Sequence, residues 1–195
     1  MFDAFLVVGG ESTGTRLVTE VLIALGCHGD SGHKQRLDTD IDKGEDIPMP
    51  FVWRRSMPHQ KKFVSIQHEL IEPVFDLGLD GPDICILVTT RNWLCAASSA
   101  VRAGHAHNVG HALANLEQAY VEIFETLSDF HKIKYHLISF DFLVQRPTVY
   151  LPYIAKQLGF DNYSDTVAHD IYDANEPYVW ETIIGKRQET DSTKK

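Results

Sequence analysis

The stretch Phe5-Leu-Val-Val-Gly-Gly-Glu-Ser-Thr-Gly-Thr-Arg-Leu-Val-Thr-Glu20 constrains this chain more than any other. Phe5 to Val8 is a short apolar, β-branched run, the pattern of a strand covered on both faces. Gly9 and Gly10 end it, and Gly14 lets the backbone pass close to a ligand. From Thr15 the pattern turns helical, with Leu17, Val18, Val21, Leu22 and Leu25 as one apolar face. A helix starting there points unpaired N–H groups and its positive dipole end into the turn, which suits phosphate or sulfate. Gly9-x-x-x-x-Gly14 is the first part of a P-loop, but Thr15-Arg16 stands where Lys-Ser/Thr would follow. A glycine-rich connection without a ligand is the bland alternative.

Strands alternate with helices along the rest of the chain, so the expected class is α/β. We expect a three-layer α/β/α sandwich with a mainly parallel central sheet, P-loop-like at its first turn. Ile84-Cys-Ile-Leu-Val88 is the strongest strand and is expected at the sheet centre. Phe63 to Gln67 reads as a β-like run ending at His68, and Glu69 to Leu77 as a helix limited by Pro73. Phe51-Val-Trp-Arg-Arg55 reads as a short strand or a helical turn. Helices are expected over Trp93–Arg102 and Ala112–His131, a strand over Tyr135–Phe140, and a helix started by Pro147 and stopped at Gly159. The 195 residues fit one domain, 1–195, with a polar loop or lid over 28–62 and a frayed tail over 188–195.

A formal net charge of −9 argues against nucleic acid as the main partner. It leaves room for a small anion held by the local field of a pocket. Arg54, Arg55, Lys61 and Lys62 form the densest basic cluster, either a solvated face or contacts to such an anion. The three cysteines, Cys27, Cys85 and Cys95, lack metal-ligand spacing and suit a reducing compartment. Asp38, Asp40 and Asp42 resemble the opening of a calcium loop, without its glycine and closing Glu. His105, His107 and His111 read as loop histidines rather than ligands, so no metal is expected. The N-terminal apolar run is too short to span a membrane, and we expect a soluble, cytoplasmic chain.

Thr89-Thr90-Arg91 stands at the carboxyl end of the central strand, where open α/β sheets bind ligands. From here the chain resembles the sulfotransferases that use 3′-phosphoadenosine 5′-phosphosulfate (PAPS). Ser12-Thr13-Gly14-Thr15 stands where that family binds the 5′-phosphosulfate with Lys/Arg-Ser-Gly-Thr. Arg91 and Ser99, eight positions apart, match the pair that clasps the 3′-phosphate. His68 falls where cytosolic members place a catalytic His. Ser139-Phe-Asp-Phe-Leu143 with Leu158-Gly-Phe160, and Gly185-Lys186-Arg187, resemble two further regions of the family, the second a basic loop that closes over the 3′-phosphate. The chain departs from the family at Ser12 and Ile66, where members carry cations. Arg16 stands two residues past Gly14, where some sugar-modifying members also have Arg.

The resemblance implies sulfuryl transfer from PAPS to a hydroxyl or amine of a sugar, lipid or small-molecule acceptor. His68 would be the base, Arg16 the second catalytic group, and Ser12, Thr13, Gly14, Thr15, Arg16, Arg91, Ser99, Lys186 and Arg187 the nucleotide site. The rivals are a P-loop kinase and a degenerate nucleotide-binding protein. Neither the acceptor nor the oligomeric state is written in the sequence.

Overall fold

The computed structural model describes residues 2–31, 47–58, 65–76, 83–130, 133–161, 166–169 and 171. Four strands, β1 (Ala4–Gly10), β2 (Phe51–Met57), β3 (Ile84–Thr90) and β4 (Lys134–Ser139), form one sheet in the order β2-β1-β3-β4. Every pairing is parallel. The helices are α1 (Thr15–Ala24), a π-helical turn (Gln67–Ile71) running into α2 (Glu72–Phe75), α3 (Trp93–Arg102), α4 (Val109–Asp129), α5 (Phe140–Gln145), α6 (Pro147–Gln157) and α7 (Thr166–His169). The protein is therefore α/β. No described helix is long and apolar enough to cross a membrane.

Alternation along β1 explains how the core divides. Ala4, Leu6 and Val8 point to one face and join Ala119, Ile123 and Leu127 of α4. Phe5 and Val7 point to the other and join Val18, Val21 and Leu22 of α1 with Leu151, Ile154 and Ala155 of α6. Apolar runs such as those in β1 and β3 are what a parallel strand requires when both of its faces are covered.

Several boundaries differ from the sequence reading, each for a local reason. Ile66 and Gln67 are helical, so the strand expected over Phe63–Gln67 is not formed there, and residues 63–64 lie outside the described residues. The β-branched run was a misleading cue, because Ile66, Leu70, Ile71 and Val74 together make a buried helical stripe. Helix α4 starts three residues before Ala112, since Asn108 caps it by accepting from His111 N at 2.8 Å. Phe140 opens α5 rather than ending β4, because Ser139 Oγ accepts from Phe142 N at 3.2 Å. Phe51–Arg55 is a strand, extended to Met57 and paired along its whole length with β1. Strand β1 runs to Gly10, and β3 to Thr90. The acidic run Asp38–Asp46, Lys61, Lys62 and the tail beyond residue 171 lie outside the described residues.

Candidate functional site

The chain leaves β1 toward β2 on one side, while β3 leads on to β4 on the other. The two central strands therefore open a crevice at their carboxyl ends, the position at which doubly wound sheets bind ligands. A cleft of about 650 Å3 lies there. Its described lining includes Glu11, Ser12, Gly14, Thr15 and Arg16 from the first loop and helix, Arg54 and Ser56 from β2, and Arg91, Ser99 and His105 from β3 onward.

The loop between β1 and α1 is held from beneath by hydroxyls. Thr13 is 1% exposed, and its Oγ1 donates to Gly10 O at 2.7 Å. Thr13 Oγ1 also lies 2.8 Å from Thr89 Oγ1, which in turn donates to Val8 O at 3.2 Å. Tyr120 on α4 donates to Thr89 O at 2.7 Å. Burial is the main reason that its phenol is pushed up to about 12. Ser12 has φ 65° and Gly14 φ 98°, both left-handed. A Cβ on Gly14 would overlap the Phe140 ring, so only glycine fits that turn. Gly14 caps α1 without a side-chain hydrogen bond, whereas Asn92 caps α3 by accepting from Leu94 N and Cys95 N at 3.1 Å. The first-turn amides of α1 thus carry no side-chain cap, and residues 14–16 line the cleft.

Among the described residues, three guanidiniums reach the cleft, from three elements. Arg91, 7% exposed, donates from Nη1 to Ser12 O at 2.9 Å and stacks 4.4 Å from the Phe140 ring centre. Arg16 pairs with Glu20 at 3.1 Å on the exposed face of α1. Arg54, 9% exposed, donates from Nη2 to Ser31 O at 2.9 Å, and Ser31 Oγ donates to Glu20 Oε1 at 2.9 Å. Thr15 Oγ1 and Ser56 Oγ lie 2.8 Å apart, joining α1 to the end of β2.

The structure brings Ser12, Gly14, Thr15, Arg16, Arg91 and Ser99 to one cleft, with Thr13 buried directly below. It does not bring His68 there. That side chain is exposed on the π-helical turn, with Nδ1 2.6 Å from Glu72 Oε2. Hydrogen bonds from His68 and Gln67 hold the Glu72 carboxyl below its ordinary value. The placement at a strand end expected for His68 fails because the segment is helical. Lys186 and Arg187 lie outside the described residues.

Glu11 and His105 also line the cleft; the sequence did not single out Glu11, and it marked His105 only as a loop histidine. Glu11 follows β1, and its N–H donates to Met57 O at 2.8 Å. His105 lies 3.9 Å from the Glu11 carboxylate. It is turned back toward the loop by Gly104, whose φ of 75° ends α3. The other basic-cluster residue of β2, Arg55, points to the opposite face from Arg54, where it pairs with Glu69 at 3.3 Å and stacks on Trp53. His107 and His111 stack on each other at 5.2 Å, and no group of metal-ligating side chains occurs among the described residues.

The chain matches no protein-family model, and no curated protein is similar enough to count as a relative.

Proposed function

We propose that this chain is a PAPS-dependent sulfotransferase on a three-layer, P-loop-like frame. One observation carries the reading. The cleft at the carboxyl ends of β1 and β3 gathers Ser12, Gly14, Thr15 and Arg16 of the glycine turn and the Arg91–Ser99 pair around one volume large enough for a nucleotide. Arg91 and Ser99 take the 3′-phosphate, through a forked donor and a hydroxyl. The amides at the start of α1 and Arg16 take the 5′ end.

In the reaction the acceptor oxygen or nitrogen attacks sulfur, and the bond from sulfur to the bridging oxygen breaks. The electron pair of that bond leaves on adenosine 3′,5′-bisphosphate, where the first-turn amides stabilise it. The acceptor proton goes to a base. We give that role to His105 rather than to His68, because His105 lines the cleft beside Glu11. No metal takes part in this scheme. The acceptor is a hydroxyl or amine of a sugar, lipid or small molecule. A cytoplasmic location suits the three buried cysteine thiols.

Thermal unfolding with adenosine 3′,5′-bisphosphate, beside ATP–Mg2+ and AMP, tests the reading. A ligand at 100 times its dissociation constant stabilises by ~2.7 kcal/mol, a rise of several degrees for a chain of this size. A rise with the bisphosphate alone is the expected result. A rise with ATP–Mg2+ alone moves the assignment to a kinase, and no rise with any of them overturns nucleotide binding.

A further inference from the structure

The cleft contains a cation from an unexpected place, the edge strand β2. Arg54 stands in register with Val7 of β1. Val52, Arg54 and Ser56 share the face of β2 that looks toward α1, since Val52 packs in the same cluster as Val18 and Leu22. Ser56, one pleat further along, touches Thr15 in the first turn of α1. Arg54 therefore sits immediately behind the residues that frame the turn, and it lines the cleft.

A guanidinium so nearly buried is unusual unless opposite charge offsets its desolvation. Here burial disfavours its charged form most, and Arg16 adds repulsion from α1. Glu11 and Asp30 oppose these effects, while Arg55 adds to them, and the balance stays unfavourable to the cation. The repulsion between Arg16 and Arg54 is a cost that an anion bound beside both would reduce. The turn itself supplies no charge at Ser12, and Arg16 is turned to Glu20.

We propose that Arg54 is the residue that holds the transferring sulfuryl group, with its planar fork on the sulfuryl oxygens. This rests on the PAPS reading and adds to it a division of labour. Arg91 and Ser99 hold the part of the nucleotide common to PAPS and its product, and Arg54 senses the group that only PAPS carries.

Calorimetric titration of the full chain with PAPS and with adenosine 3′,5′-bisphosphate separates the two claims. Arg54→Met keeps the apolar stem and removes the charge. It is expected to weaken PAPS binding roughly tenfold, as losing a charge-assisted hydrogen bond does, and to leave bisphosphate affinity nearly unchanged. The unchanged affinity doubles as proof that the variant is folded. Arg54→Lys keeps the charge without the fork and is expected to fall between the two. If Arg54→Met does not fold, Arg54→Lys decides. A PAPS-to-bisphosphate affinity ratio equal to that of the native chain in the folded variants overturns the role of Arg54 and leaves the nucleotide site standing. If the native chain binds neither nucleotide, both readings fall.

Discussion

Arg91 Nη1 donates to the carbonyl oxygen of Ser12 at 2.9 Å, so the end of β3 holds the turn that follows β1. The same guanidinium lies over Phe140, the first residue of α5. This side chain and the Thr13–Thr89 hydroxyl contact together join the turn to the β3 end, the two halves of the cleft. Arg91→Ala is expected to lower stability by about 2 kcal/mol, combining a hydrogen bond from a charged donor with a partly desolvated cation–π contact. It should also weaken adenosine 3′,5′-bisphosphate binding by more than tenfold. Denaturant unfolding and titration calorimetry measure the two effects separately. Stability lost with affinity intact would make Arg91 a strut and not a ligand.

Gly14 tests the turn without touching a charge. With φ at 98° and the Phe140 ring against the position of a Cβ, Gly14→Ala combines backbone strain with a clash. The expected loss is ~2–4 kcal/mol in denaturant unfolding, from left-handed strain of ~1–2 kcal/mol plus overpacking of similar size. Adding Phe140→Leu should recover the clash part alone. Full recovery in the double variant would show that the left-handed turn costs nothing there.

The central strands and the glycine turn that follows β1 were legible because their signals are local. An unbroken run such as Ile84–Val88 has one comfortable place, a strand covered on both faces, and Gly14 between a strand and a helix marked a tight turn, which is left-handed at that residue. Strand β2 was only half legible, because Trp53-Arg54-Arg55 lacks an apolar pattern. Its two arginines are buried on opposite faces, stabilised by Ser31 and Glu69, which come from elsewhere in the chain. His68 was misplaced for the opposite reason. Phe63-Val-Ser-Ile66 has strand propensity, yet Ile66 completes a helical stripe whose value appears only once the sheet is present to cover it. His105 gave one usable signal, the Gly104 that turns the chain back after a helix ending in Arg102.

The two histidines make opposite predictions. Release of inorganic sulfate from PAPS, with water as the acceptor, reads base function without a known acceptor. His105→Ala is expected to slow this release by ~10²–10⁴-fold, the usual range for loss of a general base, while bisphosphate affinity holds. His68→Ala, which removes an exposed partner of Glu72, is expected to leave both unchanged. The reverse pattern would return the base role to His68 and require the helical turn at 67–71 to approach the cleft.

Alkaline pH reaches the core through its thiols. Burial pushes Cys27 and Cys85 from 9.0 to about 12, and Tyr120 from 10.0 to about 12. Up to about pH 8 these groups are almost fully protonated in both folded and unfolded chains and contribute little slope. Above it the unfolded chain releases thiol protons that the folded chain retains, so the stability tied to them is lost as pH rises toward the folded values. Each thiol should remove up to ~1.4 kcal/mol per pH unit in that window, and Tyr120 should join from pH 10. Urea unfolding is therefore expected to be nearly flat from about pH 7 to about pH 8 and to weaken steeply beyond 9. Cys27→Ala with Cys85→Ala starts from a lower stability, but the slope between pH 9 and 10 should fall sharply, and an undiminished slope in the double variant would place the alkaline lability outside the two thiols.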